Sequence, residues 1–393
     1  MTPTMLLTYA QTDTIYLTWR WTDGGPTGAA RLHPDVLASV PTLLAATLPD
    51  SRPGEDAADA IQRASSSWLG SPEGSDQLGD QLADALLPGE VVMMLLGRTP
   101  VDGPRPRLVI TPCPALAQVP WALLRARLSG DGQQRALLPT IATICGGVPR
   151  AALAAARPGA RGSTTVAVLD PRVPGQPANG PLGSVLGRPS PDDPLAALLN
   201  PAVVPQAATY PELVRRTDLD RDWLRAACTD AGRLLFVGHV SGAGLDDATG
   251  ENSSLHLCCR DEAGVHRPLR AIDVATDDTW RMPSRVALIG CASGSDFRHS
   301  EPLGWALASV LAGAQIVTAA LWTLPTDAAL PGQPFRRLVL AVDEAHRSDD
   351  PVATLGEWQA EQAHAWRETG DAAHSPLLWA SLMTWTANVE EAS

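Results

Sequence analysis

Among the 393 residues of the chain, His239 and Cys291 combine reactive side chains with a fitting local setting. Each follows an apolar run through a glycine: Leu234-Leu235-Phe236-Val237-Gly238-His239, and Val286-Ala287-Leu288-Ile289-Gly290-Cys291, which continues as Ala292-Ser293-Gly294. A free thiol with a pKa of ~8.5 is only slightly ionised at pH 7, so a cysteine becomes an effective nucleophile when an imidazole stands beside it. The same imidazole can then protonate the departing amine of a cleaved peptide. Backbone N–H groups around Gly238, Val240 and Gly290 are the candidates for holding the oxygen of the attacked carbonyl, because glycine lets a substrate approach the main chain closely. Taken singly, a strand-end cysteine reads as a small core residue and a lone histidine as a satisfied polar group. Their joint placement is what points to chemistry.

Carboxylates near these positions are candidates for a substrate pocket. Asp170 ends an apolar run, where a buried carboxylate could bind an arginine or lysine side chain; the alternative is an Asp-Pro turn that simply opens a loop. Asp246 and Asp247 lie in the glycine-rich segment after His239, and Asp296 follows the cysteine. Glu301 and Pro302 read as first-turn residues of a helix.

The elements that must position these groups follow from periodicity. Thr14–Trp21 alternates with period 2, as a half-buried strand does, and is expected to form a hairpin with Met5–Tyr9. Helical spacing runs through 33–47 and 57–87, and Arg107–Pro112 reads as a strand closed by proline. From Thr164 the texture becomes that of a parallel sheet with intervening helices. Strands are expected over 165–169, 233–237, 255–258, 285–289 and 315–321, and helices over 222–231, 302–311, 334–346 and 351–366. In such a sheet, catalytic groups collect at the carboxyl ends of adjacent strands, where both His239 and Cys291 fall. The Pro- and Gly-rich stretch between Asp170 and Pro194 carries too little apolar surface to offset its ordering entropy and is expected to be a long mobile loop. Trp121, Trp322 and Trp379 sit in apolar segments and read as core residues.

Composition narrows the function classes. Hydrophobic residues make up 45% and charged residues 19%, which places the chain among folded globular proteins. The formal net charge is −13, so the average surface repels nucleic acid and no direct nucleic-acid role is expected. All 30 basic residues are arginine. The absence of lysine excludes P-loop NTPases, protein kinases and Schiff-base enzymes, each of which needs an ammonium group at a fixed place; as a compositional habit it fits a GC-rich genome. The six cysteines show no CxxC pairing, so neither a metal site nor a disulfide framework is expected, and no cofactor. Apolar runs such as Val91–Leu96 fall far short of the ~20 residues of a membrane span, and the N-terminus lacks the basic cluster of a secretory leader. A reducing cytoplasm is the expected location.

Cys291 follows His239 by 52 positions, near the roughly 50 that separate the two in caspases. Beyond this spacing, the chain resembles the CHAT family, bacterial relatives of caspases and separases. The resemblance is carried by Phe236-Val237-Gly238-His239, Ser254-Leu255-His256-Leu257, Ala287 through Gly294, Leu303-Gly304-Trp305-Ala306-Leu307-Ala308 and Gly313 through Trp322. Pro120-Trp121-Ala122-Leu123-Leu124 and Pro376-Leu377-Leu378-Trp379-Ala380 extend it to roughly 78–388. It implies a caspase-like three-layer α/β sandwich with a mostly parallel sheet in 160–393, preceded by a diverged, inactive α/β subdomain in 1–155. It also implies an endopeptidase with His239 as base and Cys291 as nucleophile, acting on a protein substrate. Such proteins often serve bacterial conflict systems, so a zymogen-like effector that answers to an activating sensor or regulatory protein is expected. Family members commonly have glycine directly after the histidine, where this chain has Val240, and threonine two positions after the cysteine, where it has Ser293. Val240 motivates the rival reading, a silent CHAT scaffold that binds peptides or assembles a complex. A nucleotide-binding module is disfavoured because no glycine-rich phosphate loop follows an early strand.

Overall fold

The alternating segment forms β2 (Ile15–Trp21), whose residues switch strictly between buried and exposed. It pairs antiparallel with β1 (Thr4–Gln11), as expected, and on its other edge with β3 (Thr27–Arg31). β1 then lies parallel to β4 (Arg107–Thr111). Beyond a short antiparallel pair, β5 (Arg125–Arg127) with β6 (Arg135–Leu137), the sheet continues parallel from β4 to β7 (Thr143–Gly147) and on to β16 (Leu382–Thr386). The computed structural model describes residues 2–100, 103–128, 134–242, 249–299 and 304–387. These strands belong to one compact unit, Met1–Gly147 with Ser348–Ser393; Val148–Arg347 forms a second. The division expected at 155–160 lies a few residues beyond the Gly147–Val148 boundary, and the chain from Ser348 onward packs with the first unit.

The helical stretch expected over 57–87 is two helices, Ala57–Ser65 and Pro72–Leu86. Ser71 breaks it: its hydroxyl accepts the Gly74 N–H at 3.1 Å and Pro72 takes the first helical position, a start signal strong enough to end what precedes it. The long helix Pro351–Thr369 starts on Asp350, whose carboxylate accepts from Ala353 N–H at 3.2 Å and pairs with Arg107. Near its other end, Trp366 donates its indole N–H to Ser75 at 3.0 Å.

In the second unit, β8 (Thr164–Leu169), β9 (Val203–Val204), β10 (Ala231–Val237), β14 (Arg285–Ile289) and β15 (Ile316–Ala320) run parallel in the order β15-β14-β10-β8-β9. Their residues are buried almost without alternation, the mark of a parallel sheet covered on both faces. Helix Arg221–Thr229 packs on β10, Trp305–Leu311 on β15 and Pro334–Arg347 on β14. The tryptophans expected in the core are there, Trp121 and Trp379 at 2% exposure and Trp322 at 0%.

Two expectations need correction. The segment 255–258 is not a strand of the parallel sheet. β12 (Ser254–Leu255) sits between β11 (Val240–Ser241) and β13 (Leu269–Arg270) in a small antiparallel sheet, because the chain reverses just after His239. The 170–194 loop has no strand or helix before Pro194, as its composition predicts, yet distant side chains fix it. Arg336 grips Asp193 through Nε and Nη2 at 2.8–3.1 Å and donates to Leu186 O at 2.6 Å, while Val173 and Leu186 are buried.

Candidate functional site

β10 and β14 are adjacent and parallel with Val237 opposite Ile289, so the residues two positions on, His239 and Cys291, leave neighbouring strand ends in register. Parallel strands lie about 4.8 Å apart. The two ends stay together past the last pair, since Gly238 N–H donates to Ile289 O at 3.1 Å. Glycine at 290 is what permits this. A Cβ there would stand 2.4 Å from Val240 Cγ2 and 2.7 Å from Gly238 O. Both reactive residues are partly exposed, while Cys113, Cys145, Cys228, Cys258 and Cys259 are buried, and none of the six forms a disulfide.

The turn that carries Cys291 is held from several sides. Ala292 has a left-handed backbone, φ 51°, which costs a non-glycine residue of order 1 kcal/mol and persists only where its surroundings enforce it. Here Ala292 N–H donates to Trp322 O at 3.0 Å and Gly294 N–H to Ala320 O at 2.7 Å. Ser293 Oγ donates to Leu288 O at 2.7 Å and accepts Ala320 N–H at 3.0 Å, tying the end of β14 to that of β15. A hydroxyl at 293 is therefore a structural clamp, which serine supplies as threonine would.

His239 is oriented by a group with no signature in the sequence. Its Nε2 lies 2.9 Å from the carbonyl oxygen of Gly183. A carbonyl only accepts, so Nε2 carries the proton and the neutral ring keeps its lone pair at Nδ1. The Gly183 carbonyl belongs to the 170–194 loop, and Asp170 fixes that loop. The Asp170 side chain is fully buried and its backbone left-handed, φ 48°. It accepts from Ser184 Oγ at 2.5 Å, from Val185 and Leu186 N–H at 3.2 and 3.4 Å, and from Arg215 Nη1 at 3.3 Å. The same Arg215 Nη1 reaches Gly183 O at 3.3 Å. From the other side, His256 N–H donates to His239 O at 3.1 Å.

The remaining candidates divide. Asp170 stands beside the strand ends, but its carboxylate is engaged within the chain, by Arg215 among others. Asp296 is 2% exposed and accepts Ala306 N–H at 2.9 Å at the start of helix Trp305–Leu311. A Cβ on Gly304 would overlap its Oδ1, and burial pushes its carboxyl up to about 7. Val240 is buried, with its side chain against Gly290. Asp246, Asp247, Glu301 and Pro302 lie outside the described residues. Among the described residues no group of three or more His, Cys, Asp or Glu could hold a metal, and no helix is long and apolar enough to cross a membrane.

The arrangement can do thiol chemistry: a partly exposed cysteine on a rigid turn, and on the neighbouring strand end an imidazole with one nitrogen committed to a carbonyl. Sequence reasoning missed Gly183, Arg215, Ser241 and His266, the last two forming with His256 a hydrogen-bonded series beside His239. No spacing rule joins such residues; only the histidine content around 256–266 hinted at it.

Comparison with known proteins follows the same lines. A chain of the crystal structure of the Saccharomyces cerevisiae separase–securin complex at 2.6 Å superposes with a TM-score of 0.50 and 11% identity, covering 98% of this chain and 30% of that one. The 3.0 Å structure of the same complex gives 0.49, with the same identity and coverage. The likeness is one of fold, a caspase-like α/β architecture, and this chain spans less than a third of the chain it matches. No curated protein matches. The family model for the CHAT domain matches residues 76–385, most of the sequence and all of β8, β9, β10, β14 and β15 with His239 and Cys291, and the chain belongs to the CHAT family.

Proposed function

We propose that this protein is a cysteine endopeptidase. His239 Nδ1 takes the thiol proton of Cys291, and the sulfur attacks the carbonyl carbon of a substrate peptide. Of the three expected oxyanion donors, the Gly238 N–H is already given to Ile289 O, which leaves the backbone N–H groups around Val240 and Gly290 to face the developing oxyanion. The C–N bond breaks, the amine leaves with the proton from His239, and water then hydrolyses the thioester by the reverse proton path. The observation that carries this reading is the commitment of His239 Nε2 to Gly183 O beside the only cysteine of the six that is not buried. A base held by a third group is the recurring logic of activated nucleophiles. Family membership and the caspase-like fold support a protease-related role at the coarser level.

In this reading the substrate is another protein, and the unit built on β1–β7 and β16 is the diverged, non-catalytic half of the fold. The separase structure is a complex with securin, and by analogy a partner protein governs access to Cys291 in a bacterial defence setting, in the cytoplasm. A peptide-library cleavage profile, with Cys291→Ala as control, tests the core of the proposal. Cleavage that depends on Cys291 is the expected result, and equal cleavage by the variant rejects the assignment.

A further inference from the structure

Next to His239, and separate from Cys291, a second set of groups has the geometry of an activated hydroxyl. Ser241 Oγ lies 2.7 Å from His256 Nε2, His256 Nδ1 lies 3.0 Å from His266 Nε2, and His266 Nδ1 lies 3.1 Å from the carbonyl oxygen of Cys259. The far end fixes every proton in the series. The carbonyl can only accept, so His266 Nδ1 donates to it and, in the neutral ring, Nε2 accepts. His256 must therefore donate through Nδ1, which leaves its Nε2 as an acceptor facing Ser241. The Ser241 hydroxyl thus gives its hydrogen to an imidazole that is held in one tautomer by a second imidazole. In function this matches a serine nucleophile, its base, and the residue that orients the base.

The placement is built rather than incidental. β11 holds Ser241 opposite Ser254, two residues before His256, so the small antiparallel sheet fixes hydroxyl and ring together. His256 is 7% exposed and stacked on His266 with ring centroids 5.3 Å apart. Burial, followed by the neighbouring histidines, lowers its pKa to about 4, which keeps its lone pair available at neutral pH. Ser241, at the outer end of the series, is exposed. The adjacent Gly242 has Arg298 beside it, with Nη2 3.2 Å from where a Cβ would be, so a cation flanks the site where a carbonyl oxygen would gain charge.

We propose that Ser241, with His256 as its base and His266 orienting that base, is a second nucleophile of this protein, one that hydrolyses carboxylic esters. Ser241 Oγ bonds to the ester carbonyl carbon as its proton moves to His256 Nε2. The C–O bond to the alcohol breaks and the alcohol leaves with that proton. Water then attacks the acyl-serine, His256 again carrying the proton, to release the acid and restore the hydroxyl.

The test uses the full chain carrying Cys291→Ala, so that no thiol at that site contributes, with a fluorophosphonate and 4-nitrophenyl acetate as probes. With the fluorophosphonate, the Oγ–P bond forms, the P–F bond breaks and fluoride leaves, so the adduct is stable and its site can be mapped by peptide mass spectrometry. The expected result is stoichiometric labelling of Ser241 and ester hydrolysis, both lost in Ser241→Ala and slowed at least about tenfold in His256→Gln, which keeps a hydrogen-bond acceptor but no base. His266→Gln, at a half-exposed position, provides the same reading if His256→Gln fails to fold. Absence of label at Ser241 in the folded protein, or labelling indifferent to both histidine variants, overturns the proposal and leaves the series as structural hydrogen bonding. Peptide cleavage by the protein with Cys291 intact is scored separately, so each reading can fail without the other.

Discussion

Cys113 and Cys291 stand at equivalent places in the two units, each two residues past the end of a parallel strand, β4 and β14 respectively. Their fates differ. Cys113 follows Pro112, is 4% exposed, and burial pushes its thiol up; the neighbouring β7 ends at Gly147, and the Val148-Pro149 that follows offers no base. Cys291 follows Gly290, stays partly exposed, and has His239 leaving the adjacent strand in register. The strands behind them are alike: β4 and β14 are both buried along their central residues, and the strict alternation of buried and exposed residues in the first unit belongs to β2, which carries neither sulfur. A strand-end sulfur is thus common to both units, and what sets one apart is a glycine that admits the neighbouring chain and an imidazole on that neighbour.

The comparison breaks most visibly at the sulfurs. Cys291→Ala should lower peptide cleavage by about 10³-fold or more, the scale of losing a covalent nucleophile, while Cys113→Ala leaves it within about twofold; equal losses would erase the distinction. A smaller effect is expected at the base. His239→Ala should slow iodoacetamide alkylation of Cys291 at pH 7 by roughly tenfold to a hundredfold, with labelling of Cys113 unchanged, as intact mass over time will report.

Backbone room sharpens the contrast in stability. Gly290→Ala should cost about 1–3 kcal/mol in urea unfolding, because its Cβ meets Val240 and the Gly238 carbonyl. Gly89→Ala in the first unit, where a Cβ meets nothing within 4 Å at the start of helix Gly89–Leu96, should be neutral or stabilising by up to about 1 kcal/mol. The smallest effect concerns pH. Burial raises the Asp296 carboxyl to about 7, so the folded state holds that proton more tightly than the unfolded state. Its contribution is fully present below the unfolded pKa of ~3.9 and is lost as pH rises toward 7 and beyond. Asp296→Asn should therefore flatten the decline in stability between pH 5 and pH 8 by on the order of 1 kcal/mol, measured as the shift in urea midpoint at the two pH values.

Legibility in the sequence followed the range of the forces involved. The run Arg285–Ile289 was found to the residue because four consecutive buried apolar positions, Val286 to Ile289, announce a strand locally. The hairpin of β1 and β2 was legible for the same reason. β7 and β16 were not, since Thr-Ile-Cys-Gly-Gly has little strand character and Leu382–Thr386 pairs with a segment more than two hundred residues earlier. His239 and Cys291 could be named because each sits on a local pattern. Gly183 could not, because a backbone carbonyl in a proline-rich loop has no residue type to betray it, and the arginines that hold that loop, Arg215 and Arg336, lie far along the chain.

The anchoring of that loop bears on what a break in it would do. Between Val173 and Gly183 the segment crosses Gly175 and Gly180 and is held by backbone bonds such as Ser184 N–H to Ala178 O, while the side chains that grip the loop lie outside that span: Asp170 before it, and Ser184, Arg215 and Arg336 after it. Hydrolysis of a bond near Gln176 would yield two polypeptides still joined by a carboxylate with no contact with water and by the strand pairing of β8 with β10. The nicked protein should migrate as two bands under denaturing conditions and as one particle otherwise, with the Gly183 carbonyl still facing its imidazole.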